Sequence, residues 1–148
     1  MTSDERARDG AFIWPVRVYY EDTDSTGLVY HANYLRFMER ARTEWMRSHG
    51  FELGEVLERY AVLFTVSRLQ VEFQKPASFD DRLEVSVEVE RLGAASLNLA
   101  QRIWRARAEL LCRATVRIAC VEAGSIRPCA IPKKLMSELK RDRRSITA

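Results

Sequence analysis

The sequence predicts an α+β fold in which one long helix lies against a single curved antiparallel sheet. Apolar residues recur at helical spacing between Tyr34 and Trp45, which is typical of a helix with a buried face. From residue 68 to residue 121 the chain instead alternates between apolar and polar residues in four successive runs. Such alternation indicates strands that are covered on one face, and the short connections between them favour antiparallel pairing.

The N-terminal elements follow in order. Residues 1–13 are expected to form a flexible leader, and 16–20 alternate well enough to be a first strand. The polar stretch 21–27 ends in glycine and predicts a loop. The long helix should end near 49–50, because glycine readily adopts the left-handed conformation that closes helices. Residues 51–59 are ambiguous between a loop and one or two helical turns.

The rest of the chain predicts a four-stranded antiparallel meander and a short C-terminal helix from 132 to 141, with Pro132 at a tolerated first-turn position. The predicted strands are 68–74, 83–90, 96–107 and 109–121. One helix against one curved antiparallel sheet is the arrangement called a hotdog fold. We therefore expect a single domain over 14–142, followed by a basic tail end at 143–148.

Composition limits the class of protein. The 148 residues are 47% hydrophobic and 30% charged, and no apolar run approaches the roughly 20 residues of a membrane-spanning helix. The charged N-terminus lacks the apolar stretch of a secretory signal, so we expect a cytoplasmic protein. The three cysteines are an odd number without a C-x-x-C pair, and buried unreactive thiols are expected rather than a metal site.

The net charge of +3 comes from the C-terminus. From residue 133 onward basic residues outnumber acidic ones, whereas the body of the chain is close to neutral. A neutral body without a basic stripe excludes a nucleic-acid surface. The tail is expected to be a solvated end that makes at most a peripheral contact with an anionic membrane or an acidic partner.

The segment 19–34 concentrates the unusual side chains: three acids, one histidine and four tyrosines. It could be a polar loop that only caps the helix. A carboxylate near the start of a buried helix also combines two catalytic parts, because the unpaired N–H groups around residues 30–32 can hold an oxyanion while the carboxylate attacks or activates water. Acyl transfer or hydrolysis is the chemistry that suits this arrangement.

Residues 16–42, VRVYYEDTDSTGLVYHANYLRFMERAR, resemble the motif of the bacterial acyl-CoA thioesterases associated with the Tol-Pal cell-envelope system, close relatives of the 4-hydroxybenzoyl-CoA thioesterases. The resemblance implies a hotdog fold and hydrolysis of acyl-CoA thioesters without a metal or an organic cofactor. It also implies active sites built between two subunits, and hence a homodimer or homotetramer. Acyl carrier protein is a second possible carrier of the acyl group.

Carried over residue by residue, the resemblance makes Asp24 the catalytic carboxylate, as nucleophile or general base, with Tyr20 and His31 in supporting roles. Substrate contacts are expected at Gly27, Tyr30 and Ala32. Asp22 remains an alternative to Asp24.

Three further points stay open. His31 could serve only to cap the helix. The chain departs from the family pattern at Ser25, Thr26 and Leu28, which leaves the acyl preference undetermined. A non-catalytic scaffold that binds acyl carrier protein or envelope components is the competing function.

Overall fold

The computed structural model describes residues 11–147, with side chains described from 11 to 142. The predicted leader therefore lies largely outside the described residues. The described part contains five strands, β1 (Phe12–Arg17), β2 (Val62–Phe73), β3 (Arg82–Leu92), β4 (Ser96–Arg105) and β5 (Glu109–Glu122). Its helices are α1 (His31–Ser48), α2 (Leu53–Tyr60) and α3 (Lys133–Thr147), with one 3₁₀ turn at Tyr20–Asp22.

The strands form one antiparallel sheet in the order β1-β3-β4-β5-β2. The predicted meander is correct for β3, β4 and β5 but wrong for β2, which pairs with β5 rather than with its successor β3. The reason is that β1 occupies the free edge of β3, with Phe12 opposite Val87 and Arg17 opposite Arg82. The remaining edge of the sheet is on β5, and β2 takes it.

The first strand begins earlier than predicted. It spans Phe12–Arg17, so two residues assigned to the leader belong to the sheet, and 18–20 lie beyond it. Phe12, Trp14 and Val16 point to the same side of the strand and pack against the core, which explains why pairing with β3 extends toward the N-terminus. Tyr20 consequently lies in the 3₁₀ turn instead of a strand.

Helix α1 is the long helix that the sequence predicts, and it packs on one face of the sheet against β1 and β3. It ends at Ser48, and Gly50 follows with a left-handed φ of 85°, as the sequence indicated. The apolar stripe forms the centre of the core, with Tyr34, Phe37, Met38, Ala41 and Trp45 all buried.

The two other helices differ from the predicted lengths. The ambiguous segment forms α2, whose Val56 is buried. Helix α3 starts one residue after Pro132 and runs to Thr147, beyond the predicted end at 141, and its Leu135 and Leu139 are buried in the core. The side chains of the predicted basic tail end lie outside the described part. Between residues 11 and 147, no helix is both long and apolar enough to cross a bilayer.

Candidate active site

The polar loop before α1 is a tight, closed turn. Thr23 and Val29 form an antiparallel bridge, and inside it the Asp24 N–H donates to the Leu28 carbonyl at 2.9 Å. The Gly27 N–H donates back to the Asp24 carbonyl at 3.1 Å, and Gly27 has a φ of 81°. Only glycine takes this conformation without strain, so the glycine fixes the turn that presents Asp24.

The Asp24 carboxylate faces solvent and is held in the charged form. Its Oδ1 accepts hydrogen bonds from the Thr26 hydroxyl at 2.5 Å and from the Thr26 N–H at 2.8 Å. These bonds lower the pKa of Asp24, the hydroxyl contributing most. Asp24 is therefore an ionised carboxylate at neutral pH that is free to meet a ligand on its outer side.

Asp22 has the opposite environment. It is buried, and its Oδ2 accepts the Tyr19 N–H at 2.8 Å. Its carbonyl accepts the Tyr30 N–H at 2.9 Å and the Asn33 side-chain amide at 2.8 Å. Asp22 thus ties the 3₁₀ turn to the start of α1, and its carboxylate is enclosed by the fold.

The start of α1 offers two backbone donors rather than the three that were expected. The Tyr30 N–H is already bonded to Asp22, so the predicted contribution of this N–H to an oxyanion hole is wrong. His31 and Ala32 are the first two residues of the helix, where N–H groups have no intrahelical acceptor. Among the described residues neither N–H has an acceptor elsewhere, so both remain available to a ligand.

The two supporting side chains have different surroundings. The His31 ring lies 4.5 Å from the Tyr30 ring and 6.4 Å from the Phe73 ring, measured between centroids. The Tyr20 ring is 77% exposed and stacks on Phe79 at 4.0 Å, in an open groove that also includes Arg17. Tyr20 therefore lines a separate groove, whereas His31 stands at the helix start beside the end of β2.

A second loop supports the Asp24 turn, and no pattern in the sequence indicates it. The segment 77–79 runs beside the Asp24 turn, with the Val29 N–H donating to the Ala77 carbonyl at 2.8 Å and Leu28 bridging Ser78. The Ala77 N–H in turn donates to the buried Tyr34 hydroxyl at 2.9 Å. Pro76 marks the end of a strand in the sequence, but nothing local shows that this loop packs on residues 28–34.

Two of the three cysteines lie on β5 and the third follows that strand. Cys112 and Cys120 are buried free thiols, as predicted, and burial raises the pKa of each to about 12. Cys129 is partly exposed, with its Sγ 3.7 Å from that of Cys120.

Comparisons with known proteins place this geometry in a family. The family model described as "Thioesterase superfamily" matches residues 26–112, from the turn after Asp24 to the first part of β5. The chain belongs to the thioesterase superfamily. The resemblance of residues 16–42 to thioesterases is confirmed as membership in this superfamily.

Named relatives of the superfamily match over most of their length. The protein "Acyl-CoA thioester hydrolase YbgC" of Escherichia coli O6:H1 is 46% identical over 129 residues, 87% of this chain and 96% of that protein. "Acyl-CoA thioesterase YbgC" of Haemophilus influenzae is 44% identical over 127 residues, with 86% and 93% covered. The chain is therefore similar to thioester hydrolases over most of its length.

A solved structure confirms the predicted fold. The crystal structure of Slr0204, a 1,4-dihydroxy-2-naphthoyl-CoA thioesterase from Synechocystis, superposes with a TM-score of 0.82 and covers 88% of this chain and 96% of that chain. Its sequence identity is 24%, so this likeness concerns the fold alone. The α+β hotdog architecture of a helix against one antiparallel sheet is thus shared with this thioesterase.

Proposed function

We propose that this chain hydrolyses acyl-CoA thioesters to a free acid and CoA, with Asp24 as the catalytic carboxylate. The observation that carries the proposal is the placement of an exposed, ionised carboxylate in the glycine turn immediately before a helix whose first two N–H groups are free. Membership in the thioesterase superfamily and the 46% identical acyl-CoA thioester hydrolase support the same reaction.

The proposed mechanism uses both the Asp24 carboxylate and the N–H groups at the start of α1. The carbonyl oxygen of the thioester accepts hydrogen bonds from the N–H groups of His31 and Ala32, where the positive end of the α1 dipole stabilises negative charge. If Asp24 acts as general base, it removes a proton from water, the hydroxide adds to the carbonyl carbon, and the C–S bond breaks. The thiolate of CoA then takes up the proton from Asp24.

Asp24 as nucleophile gives the same products by another route. Its carboxylate oxygen forms a bond to the carbonyl carbon, the CoA thiolate leaves, and water hydrolyses the resulting mixed anhydride. A single turnover in ¹⁸O-labelled water tests for the nucleophilic route. Label in the side chain of Asp24 would establish it, because water that attacks the Asp24 carbonyl carbon of the anhydride labels the side chain and the general-base route never does. Water that attacks the acyl carbon labels only the released acid in both routes.

His31 and Tyr20 have supporting roles in the proposed reaction. The His31 ring stands beside its own backbone donor and lies against Tyr30, so it orients the thioester at the helix start. The exposed stacked pair of Tyr20 and Phe79 contributes a flat aromatic surface to the neighbouring groove. Gly27 keeps the turn open to substrate because no side chain projects from it.

Substitution of the two aspartates tests the assignment. Asp24→Asn keeps the hydrogen-bonding shape but loses the charge, and turnover should fall on the order of 10²-fold or more without a change in melting temperature. Asp22→Asn should instead lower the melting temperature, because its enclosed carboxylate holds the 3₁₀ turn. Glu21→Gln, which removes an exposed charge next to Asp22, is the matched control. A folded Asp24→Asn with near-normal turnover, together with an inactive Asp22→Asn, would transfer the role to Asp22.

One assay distinguishes CoA from acyl carrier protein as the carrier of the acyl group. The same assay distinguishes an enzyme from a non-catalytic scaffold. A panel of acyl-CoA and acyl carrier protein thioesters, with free thiol followed over time, should show turnover of the CoA thioesters. Faster turnover of the acyl carrier protein thioesters would make that protein the natural carrier. A folded chain that releases thiol from none of them would support the scaffold function.

The proposed assembly is a homodimer joined through β2. Both edge strands expose backbone groups, but β1 is only six residues long and contains Pro15, which blocks pairing. Strand β2 has 12 residues and exposes three large apolar side chains, Val66, Leu69 and Phe73. Two copies of β2 in antiparallel pairing would cover these side chains and join two sheets. Light scattering that finds an active monomer at micromolar concentration would refute the dimer.

The proposed setting is the cytoplasm, in association with the Tol-Pal system. It is supported by the resemblance of residues 16–42 to thioesterases of that system. Fractionation of cells that produce the full chain, followed by co-purification with Tol-Pal components, tests both parts. Recovery of the chain from the periplasm would refute the location.

A further inference from the structure

Two of the cysteines have their sulfur atoms close together. The Sγ of Cys120, near the end of β5, lies 3.7 Å from the Sγ of Cys129, and both are free thiols. The Cys120 Sγ also donates to the Ala130 carbonyl oxygen at 3.7 Å, so its side chain is directed at the segment that contains Cys129. Among the described residues, Cys112 makes no such contact with another cysteine.

The backbone holds the two cysteines opposite each other. Val121 and Pro128 form an antiparallel bridge, and beside it the Cys129 N–H donates to the Cys120 carbonyl at 3.0 Å. Residues that face each other through such a hydrogen bond have Cα atoms about 5.5 Å apart. A disulfide needs a Cα separation of about 4.4–6.8 Å and a bond of about 2.05 Å between the sulfur atoms. Rotation of the two side chains can therefore close the bond without moving the backbone.

The two thiols differ in their access to solvent. Cys129 is partly exposed and open to a small oxidant, whereas Cys120 is buried. Burial raises the pKa of Cys120 to about 12, which keeps its sulfur in the thiol form and unreactive toward dissolved oxidants. Oxidation therefore begins at Cys129, and Cys120 reacts only with the product formed beside it.

The two cysteines flank an exposed and strained turn. Residues 123–127 lead the chain from β5 toward α3. Ile126 is 55% exposed and has a φ of 60°, in the left-handed region that costs a β-branched residue strain. A turn with strain and little burial opens more readily than the strands before it. A covalent bond between residues 120 and 129 would close a loop around this turn and hold the segment that leads into α3.

We propose that Cys129 and Cys120 are a peroxide-sensitive thiol pair, and that their disulfide fastens the segment between β5 and α3 under oxidising conditions. Hydrogen peroxide transfers one oxygen atom to the Cys129 thiol, which becomes a sulfenic acid, and water is released. The Cys120 sulfur then attacks the Cys129 sulfur. The S–S bond forms, the S–O bond breaks, and the departing hydroxide takes the Cys120 proton as water. A dithiol reductant restores both thiols and is itself oxidised to a disulfide.

The thiol pair is remote from the candidate active site. Cys112 lies opposite Phe73, whose ring is near that of His31. Cys120 is eight residues farther along β5, which corresponds to about 27 Å of antiparallel strand. The disulfide is therefore expected to change the stability of the chain and not the geometry of the Asp24 turn. The inference does not depend on the proposed thioesterase reaction.

Counting thiols tests whether the bond forms. The full chain is treated with hydrogen peroxide, the peroxide is removed with catalase, and the chain is unfolded, alkylated and measured by mass spectrometry. Of the three thiols in the sequence, only Cys112 should remain open to alkylation, and reduction with dithiothreitol should restore the other two. Cys112→Ala should still lose its two thiols, whereas Cys129→Ser should form no disulfide within the chain. Three intact thiols, a Cys129 sulfinic acid or a disulfide between two chains would each overturn the proposal.

Thermal unfolding tests what the bond holds. A disulfide that closes residues 120–129 into a loop should raise the melting temperature by roughly 5–10 °C in a domain of this size. The oxidised and reduced wild-type chains are compared at the same protomer concentration. Cys129→Ser, treated with peroxide in the same way, is the matched control for oxidation of methionines and should show no rise. If the wild-type chain with the bond formed unfolds at no higher temperature than the reduced chain, the disulfide does not fasten this segment and the proposed role is wrong.

Discussion

The hydrogen bond between Tyr34 and Ala77 should be the contact that holds the two loops of the site together. The Tyr34 hydroxyl is buried on the first turns of α1 and accepts the Ala77 N–H at 2.9 Å. The next group along, the Ala77 carbonyl, accepts the N–H of Val29 at the end of the Asp24 turn. Tyr34→Phe removes one oxygen and leaves the ring packing against Phe37 and Phe73 in place.

The loss of stability in Tyr34→Phe follows from the burial of Ala77. Ala77 is fully buried, so without the hydroxyl its N–H has no acceptor and no access to water. A buried donor left unpaired costs about 1–3 kcal/mol. For a domain of this size that corresponds to a decrease in melting temperature of roughly 3–9 °C. Turnover should also fall, but by less than in Asp24→Asn, because the carboxylate itself is unchanged.

Thermal unfolding followed by circular dichroism, at one fixed protomer concentration, measures the effect. Tyr60→Phe is the matched control, since Tyr60 is partly buried on α2 and its hydroxyl makes no hydrogen bond within the described residues. If Tyr34→Phe unfolds at the same temperature as Tyr60→Phe, the hydroxyl does not hold Ala77. The two loops would then be joined by the backbone contacts of residues 27–29 with residues 77–79.

Two further predictions concern pH. Thr26→Val removes the hydroxyl that lowers the pKa of Asp24. The fall of kcat/KM at acidic pH should therefore begin at a higher pH in the variant than in the wild type. If it begins at the same pH, a group other than Asp24 determines this fall. His49 lies 3.2 Å from Asp142 and 3.4 Å from Glu138, and mainly the hydrogen bond to Asp142 raises its pKa above 6.5. A raised histidine pKa stabilises the fold fully below about pH 6.5 and the contribution is lost as pH rises through the raised value. His49→Gln should therefore lower the melting temperature at about pH 5.5 and hardly at all at about pH 8.5, and equal losses at both would contradict this.

The sequence motif of the candidate site locates the loop but does not show which of its groups can meet a ligand. Asp22 and Asp24 are two positions apart in one polar loop, and their residue type does not distinguish them. Burial does, because Asp22 is enclosed and bonded to Tyr19 while Asp24 faces solvent. The sequence also could not show which of the expected oxyanion donors are available to a ligand. The sequence indicated the start of α1 but could not show that the carbonyl of Asp22, eight residues earlier, occupies the N–H of Tyr30.

The sequence by itself determined the elements whose cause is local. Side chains at spacings of three and four residues meet on one face of a helix, and alternate side chains share one face of a strand, so α1 and strands β3 to β5 were predictable from 10 to 15 residues at a time. Gly50 marked the end of α1 for the same reason, since the left-handed conformation is a property of the residue.

Only the tertiary structure decided which edge β2 would take and how the loop at 77–79 supports the Asp24 turn. These features join segments that are tens of residues apart. They depend on backbone N–H and carbonyl groups, which every residue except proline carries in the same form, and on the space left between side chains. Neither leaves a local pattern in the sequence, because many different partners could satisfy the same backbone groups.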